Sequence, residues 1–377
     1  MLAPFGPGPL GLDSAAPRAS TGASTGIDSS PMSSPSDIEF LALLVHRGHL
    51  VRDQAQLLLP QLKQGRAIDA LLQSECGLSP ERVAWLRRTN AGEIPEIPGY
   101  ELRGRLGSGG TADVWRALEK KTGRVLALKV LKSEAQRSKP TLQSFITEAK
   151  LLEKLRHPGL VEGYGVARYE NTYFARLECI EGWTLLELLD QGHAFPEEDA
   201  LRIVQAAAEA MQYLQAEGIV HRDLKPGNIM LAQDGRVRLI DLGFAAGAGQ
   251  AGTAGSAVGT VAYLSPEQAQ GGAAADARSD IYSLGVTLFH LVVGRLPFES
   301  SDDRETLRMQ IMESLASPEL KARRLSPHLH YFIEKMMAKD AEHRYQSWVE
   351  LIEDVKNQIE GREALDFEKP GRRARGR

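Results

Sequence analysis

The sequence predicts an α+β protein of two lobes, a small β-rich one followed by a larger helical one, with a small all-α helical-hairpin module ahead of both. Three observations predict this. From Tyr100 apolar residues alternate as in strands, and after about Leu185 they recur mostly at helical spacing. A β-rich segment followed by a helix-rich one folds as segregated layers rather than as alternating units. Upstream, residues 37–92 carry a helical pattern of their own. Of the 377 residues, 42% are hydrophobic and 25% charged, which excludes wholesale disorder. The net charge of −4, with basic residues spread along the chain, gives no push toward nucleic acid.

Residues 1–36 are rich in Pro, Gly and Ser and cannot bury enough apolar surface to offset their ordering entropy, so they are expected to be disordered. In 37–92, Phe40, Leu41 and Leu44, then Leu58 and Leu59, then Leu71 and Leu72, then Val83 and Leu86 fall at helical spacing. Leu43–Ala55 aligns with Leu71–Val83 as a weak internal repeat, and Ser79-Pro80 is an N-cap and first-turn pair. This module reads either as a docking or regulatory domain with a protein partner, or as a solubilising extension. Residues 93–99 are a linker, 100–359 a larger domain, and 360–377 a basic, frayed tail.

Two cysteines, Cys76 and Cys179, are too few for a disulfide framework and lack metal-ligand spacing. No secretory signal or membrane-length apolar run is visible; Ile281–Gly294 is too short and reads as a buried helix. A soluble, cytoplasmic protein is expected.

The chemistry lies in the large domain. Gly107–Val114 (GSGGTADV) is a glycine-rich turn between two strand patterns, where backbone amides can approach phosphates without an intervening Cβ. In Arg124–Val130, Ala127 and Lys129 share a strand face. A helix is read from about Thr141 to Leu155, with Phe145, Leu151, Leu152 and Leu155 as its apolar stripe. Glu148 sits on that stripe, where an unpaired carboxylate would cost several kcal/mol. Pairing with Lys129 removes that cost. Phe195–Val220 reads as a long amphipathic helix ending at Gly218, which delivers the chain to His221–Asn228 (HRDLKPGN), followed by Asp241-Leu242-Gly243. An Asp, a Lys, an Asn and a second Asp in this order suit metal-assisted phosphoryl transfer, which needs positioning and charge neutralisation more than covalent chemistry.

These motifs resemble the eukaryotic-like (Hanks-type) serine/threonine protein kinase family of bacterial type, over about Ile97–Ile359. The resemblance implies a two-lobed protein kinase fold and transfer of the γ-phosphate of ATP, with Mg2+ (or Mn2+), to Ser and Thr of protein substrates, in signalling. It implies that Lys129, held by Glu148, meets the α- and β-phosphates. Asp223 would orient the substrate hydroxyl, Lys225 would neutralise the moving phosphoryl group, and Thr260 would bridge Asp223 and Lys225. Asn228 and Asp241 would hold the metal. Leu106, Gly107, Ser108, Gly109, Gly110, Val114, Ala127, Lys129, Glu178, Ile180 and Met230 are the implied nucleotide-binding positions, with Leu177 beside the adenine. Glu267 is expected to pair with Arg344, and Asp280 to bind the backbone of the catalytic loop. Ala112 stands in place of a third glycine and Leu242 where Phe is commonest. The Ala/Gly-rich stretch Ala245–Ala257 offers Thr253 and Ser256 as phosphate acceptors for Arg222, although Ala246 replaces a second basic residue. A catalytically weak pseudokinase scaffold is the alternative. Its signature, loss of Lys129, Asp223, Asn228 or Asp241, is missing. A small-molecule phosphotransferase fits the Lys225-Pro226 pair less well.

Overall fold

The computed structural model describes residues 37–242, 261–271, 275–315 and 325–361. The 1–36 segment, most of the basic tail, and Thr253, Ser256 and Thr260 lie outside the described residues. The described residues divide into two units, one holding 37–102 with 119–122 and the other holding 103–118 with those from 123 onward.

The first unit is built on α1 (Asp37–His46), α2 (Arg52–Lys63), α3 (Ile68–Ser74) and α4 (Pro80–Asn90). The internal repeat has a structural counterpart. The α1–α2 turn closes with the Leu50 amide donating to the Leu44 carbonyl at 3.2 Å, and the α3–α4 turn with Leu78 donating to Leu72 at 3.1 Å. Gly48 (φ 71°) and Gly77 (φ 66°) take the left-handed conformation that each turn needs. Phe40, Leu44, Leu50, Leu58, Ile68, Leu71, Leu72, Val83 and Leu86 form one core, each large side chain contributing roughly 1.5–3 kcal/mol. Ser79 caps α4 by accepting from the Arg82 amide at 3.2 Å. Arg87 staples three helices: it donates to Asp37 and to Asp69, each at 2.9 Å, and lies over the Phe40 ring.

A five-stranded sheet follows, from β1 (Tyr100–Ser108), β2 (Ala112–Glu119), β3 (Val125–Leu131), β4 (Gly163–Tyr169) and β5 (Thr172–Glu178), in the order β1-β2-β3-β5-β4. Between β3 and β4 run α5 (Ser133–Gln136) and α6 (Lys139–Lys154), and α6 packs on β4 and β5. The α6 helix starts two residues earlier than the expected Thr141, because Ser138 caps it and Pro140 is tolerated in its first turn. Its buried face is Phe145, Glu148, Ala149 and Leu152, with Ala149 in place of the expected Leu151.

The helical part is α7 (Leu185–Asp190), α8 (Glu197–Ala216), α9 (Pro266–Ala269), α10 (Ala277–Val293), α11 (Asp303–Met312), α12 (Pro327–Met336) and α13 (Trp348–Glu360). The apolar run read as a core helix is α10, buried on all sides between α8 and α12. One feature departs from the expected pattern. A second, three-stranded sheet of β6 (Gly182–Thr184), β7 (Ile229–Ala232) and β8 (Val237–Leu239), in the order β6-β7-β8, sits within the helical part. No helix among the described residues is long and apolar enough to cross a membrane.

Candidate active site

Two separate stretches of chain place carboxylates around Lys129, those of Glu148 and Asp241. Strand β3 is the middle strand of its sheet and pairs Lys129 with Val114 of β2 on one side and Ala175 of β5 on the other. Its Nζ donates to Glu148 Oε1 at 2.8 Å and to Asp241 Oδ1 at 3.2 Å. Lys129 and Glu148 are nearly buried, with side chains 14% and 9% exposed. Phe145, Leu152, Ala175 and Leu177 line the small cavity beside them. Burial opposes charge on Lys129, but the Asp241 and Glu148 carboxylates outweigh it and raise its pKa. Burial pushes the Glu148 carboxyl up, against the pull of Lys129. The lysine is therefore a fixed cation, aimed by Glu148 and shared with Asp241.

The glycine turn Gly107–Gly110 begins at the end of β1 and leads toward β2, and it is exposed, as is Leu106. The Gly109 amide donates to Ala112 O at 2.9 Å, which makes the turn tight, and the Ala112 methyl is buried. Lys132, which sequence reasoning did not single out, holds this turn. Its Nζ donates to Gly109 O at 2.7 Å and to Ser108 Oγ at 3.4 Å, and lies 3.7 Å from Asp113 Oδ1. A lone lysine just past a strand carries no sequence signal for such a role.

The register of β3 on β5 sets Ala127 opposite Leu177 and Leu126 opposite Glu178. The Glu178 amide donates to Glu162 O at 2.8 Å, and its carboxylate meets the buried Arg238 at 3.3 Å. Glu181, just past Ile180, bridges to Arg116 of β2 at 2.7 Å. Met230 of β7 stands opposite Thr184 and Arg238.

The His221–Asn228 loop is held from below. His221 is fully buried. Asp280, at the start of α10, accepts from the amides of His221 at 2.9 Å and Arg222 at 2.7 Å. Burial raises the Asp280 carboxyl, and His221 together with these amides opposes the rise. Arg222 takes φ 66°, a left-handed backbone for a side-chain-bearing residue, and such strain persists where surrounding bonds enforce it. Beyond it, Lys225 Nζ donates to both Asp223 oxygens, at 2.9 and 2.8 Å. Asn228 Nδ2 donates to the Asp223 carbonyl at 2.8 Å and to its Oδ2 at 3.0 Å. The Ile240 amide donates to Asn228 O at 3.0 Å, which ties the loop to the end of β8 and so to Asp241. Glu267 and Arg344 make a two-pronged ion pair at 2.8 and 2.9 Å.

The structure thus gathers Lys129, Glu148 and Asp241 in one constellation and Asp223, Lys225 and Asn228 in another, with a backbone link between them. Thr260 lies outside the described residues. The donor set suits magnesium. Both Asn228 hydrogen bonds use its amide nitrogen, so its oxygen and the Asp241 carboxylate are the oxygen donors that could hold such an ion. Among the described residues no group of three or more His, Cys, Asp or Glu could hold a metal. Two hard oxygen donors leave the remaining coordination to phosphates and water, the usual mode for this ion.

Comparison with known proteins follows the same lines. A family model described as protein kinase domain matches residues 100–356. The chain is 34% identical over 270 residues to a probable serine/threonine-protein kinase of Streptomyces coelicolor, covering 70% of this chain and 40% of that protein. It is 32% identical over 263 residues to serine/threonine-protein kinase PrkC of Bacillus subtilis, covering 68% and 40%. It is also 32% identical to serine/threonine-protein kinase PknB of Mycobacterium leprae, covering 68% and 42%. The chain thus spans about two fifths of the length of these relatives.

Proposed function

The chain belongs to the protein kinase family, and from that premise we propose that it is an active serine/threonine protein kinase, transferring the γ-phosphate of Mg·ATP to Ser and Thr hydroxyls of protein substrates in signalling. The observation that carries the proposal is Lys129 lying within hydrogen-bond reach of both Glu148 and Asp241. This arrangement belongs to a site set up to act on phosphates rather than to a scaffold.

In this reading Lys129 binds the α- and β-phosphates, and the Gly107–Gly110 turn covers them. Leu106, Val114, Ala127 and Met230 embrace the adenine, and the backbone of Glu178 and Ile180 meets its edge. Asp223 orients the incoming hydroxyl and takes its proton. Lys225, already on Asp223, offsets charge on the transferred group, and Thr260 completes that pair. Asn228 and Asp241 hold magnesium, which when bound neutralises phosphate charge. A cytoplasmic location rests on the two free thiols, Cys76 and Cys179. The helical unit of residues 37–92 is proposed as a docking or regulatory module.

The test is incubation of the full chain with labelled ATP, Mg2+ and a generic protein substrate, followed by phosphoamino-acid analysis. Label on Ser and Thr is expected, and Asp223→Asn should abolish it while retaining Mg·ATP binding. Equal incorporation by the variant would remove Asp223 from the mechanism, and a wild-type chain that labels no protein would defeat the kinase reading.

A further inference from the structure

The glycine turn Gly107–Gly110 has little of its own to fix its shape. Gly107, Gly109 and Gly110 all lie outside the left-handed region, and a Cβ built on Gly107 or Gly110 would meet no atom within 4 Å. Neither a restricted backbone nor packing therefore selects one conformation at those two positions, and glycine loses more freedom on ordering than any other residue. Lys132 supplies a constraint. Its backbone amide donates to Thr111 O at 2.9 Å. Its ammonium reaches back to Gly109 O at 2.7 Å and to Ser108 Oγ at 3.4 Å. One residue thus grips the turn on both sides of Gly110.

The lysine is itself held. Asp113 stands in β2 opposite Val130 of β3, and its Oδ1 is buried without a hydrogen bond. A carboxylate oxygen withdrawn from water needs a cation nearby, and the Lys132 ammonium lies 3.7 Å away. The ammonium is thereby placed by a strand side chain as well as by the turn that it holds.

The tether orients the next peptide. Among the described residues no peptide bond is cis, and in a planar trans peptide the C=O and the N–H point in opposite directions. The Gly109 carbonyl shares its peptide with the Gly110 N–H. With the carbonyl turned to Lys132, that N–H is directed away from the ammonium, as a donor. Two glycines flank this peptide, so without the tether it could rotate and present its carbonyl, which phosphate oxygens repel.

We infer that Lys132, anchored by Asp113, is a positioning residue for the nucleotide: it fixes the Gly109–Gly110 peptide so that the Gly110 amide faces the phosphates, and so governs affinity for the triphosphate apart from that for the nucleoside. This deepens the kinase reading above and rests on its placing of the phosphates under this turn.

The experiment measures binding of Mg·ATP and of adenosine to the full chain by calorimetry. Lys132→Met keeps the stem and removes the ammonium. It should weaken Mg·ATP about tenfold, as for one lost charge-assisted hydrogen bond, and leave adenosine within about twofold. A second pair separates positioning from a direct attraction of the lysine for phosphate. Gly110→Pro has no N–H to present and should itself weaken Mg·ATP. Adding Lys132→Met to it should change that affinity by less than about twofold, because the two act through one peptide. Unchanged Mg·ATP affinity in Lys132→Met, an equal weakening of adenosine, or a Lys132→Met effect that persists in the Gly110→Pro background each overturns the inference. Mg·ATP binding without transfer to protein would defeat the kinase reading and leave this inference to the same measurements, whereas a wild-type chain that binds no Mg·ATP defeats both.

Discussion

Replacing Glu148 with Gln keeps the size and one acceptor of the side chain and removes its charge. In the native site Lys129 Nζ lies 2.8 Å from Glu148 and 3.2 Å from Asp241. At an effective dielectric of about 20 these distances correspond to attractions of about 6 and about 5 kcal/mol. The ammonium is therefore shared with little preference, and neutralising Glu148 hands it to Asp241. Relief from burying a carboxylate offsets much of the lost attraction, so folding stability should change by about 1 kcal/mol or less. The loss falls on function. An Asp241 engaged by the lysine is a poorer metal ligand, and the lysine is no longer aimed by the helix. Phosphate transfer should drop about a hundredfold, equivalent to about 2.7 kcal/mol in the barrier, and half-maximal activity should need more Mg2+. Initial rates across a Mg2+ titration at saturating ATP measure both, with urea unfolding as the stability control. Transfer within about threefold of wild type at an unchanged Mg2+ requirement would refute the reasoning.

Burial alone would raise the Glu267 carboxyl, but hydrogen bonds from Arg344 and Ser279 outweigh it and hold the group at about 2, well below its ordinary 4.5. A carboxylate depressed on folding stabilises the protein above its ordinary pKa and loses that contribution as pH falls toward the folded value. Urea midpoints should fall between about pH 5 and pH 3, by on the order of 2 kcal/mol for this group after allowance for solvent screening. Arg344→Met should cost about 3 kcal/mol near neutral pH, because it leaves the half-buried Glu267 carboxylate with only Ser279 as a partner and strips the Ala338, Arg278 and Lys339 carbonyls of a donor. A variant as stable as wild type would mean that the pair contributes nothing. In α10, a Cβ at Gly285 would lie 2.7 Å from Met336 Cβ and 2.9 Å from Met337 Cγ. Helix propensity favours Gly285→Ala by about 1 kcal/mol, whereas overpacking costs roughly 1–3 kcal/mol. Calorimetry should find a lower Tm, and a higher one would show that α12 yields freely.

Local patterns were legible in the sequence because they are written in adjacent residues. Asp223, Lys225 and Asn228 lie on one short loop, and the backbone between them limits how far apart they can be. Glu148 was legible as a paired carboxylate because helical spacing put it on a buried stripe. Strands β6 and β8 were not legible: three residues hold no period, and their pairing with β7 is what makes them strands. The exchange of Leu151 for Ala149 on the buried face of α6 has a similar origin, since both fit a helical stripe and the sheet beneath decides which side is covered. Lys132 gave no signal, because it acts on a backbone carbonyl, that of Gly109, which no residue type marks.

By itself the sequence determined which charges the site owns, which helix and strand carry them, and the family to which the chain belongs. Tertiary structure decided how those charges are shared: Lys129 meets Glu148 across 19 residues and Asp241 across 112. It also decided that Asp280 seats the His221–Asn228 loop through backbone amides 59 and 58 positions away. The reason is physical. A period in the sequence reports the face that a residue presents, whereas the strength and partner of a charge depend on distance and on exclusion of water, which distant segments create only by packing together.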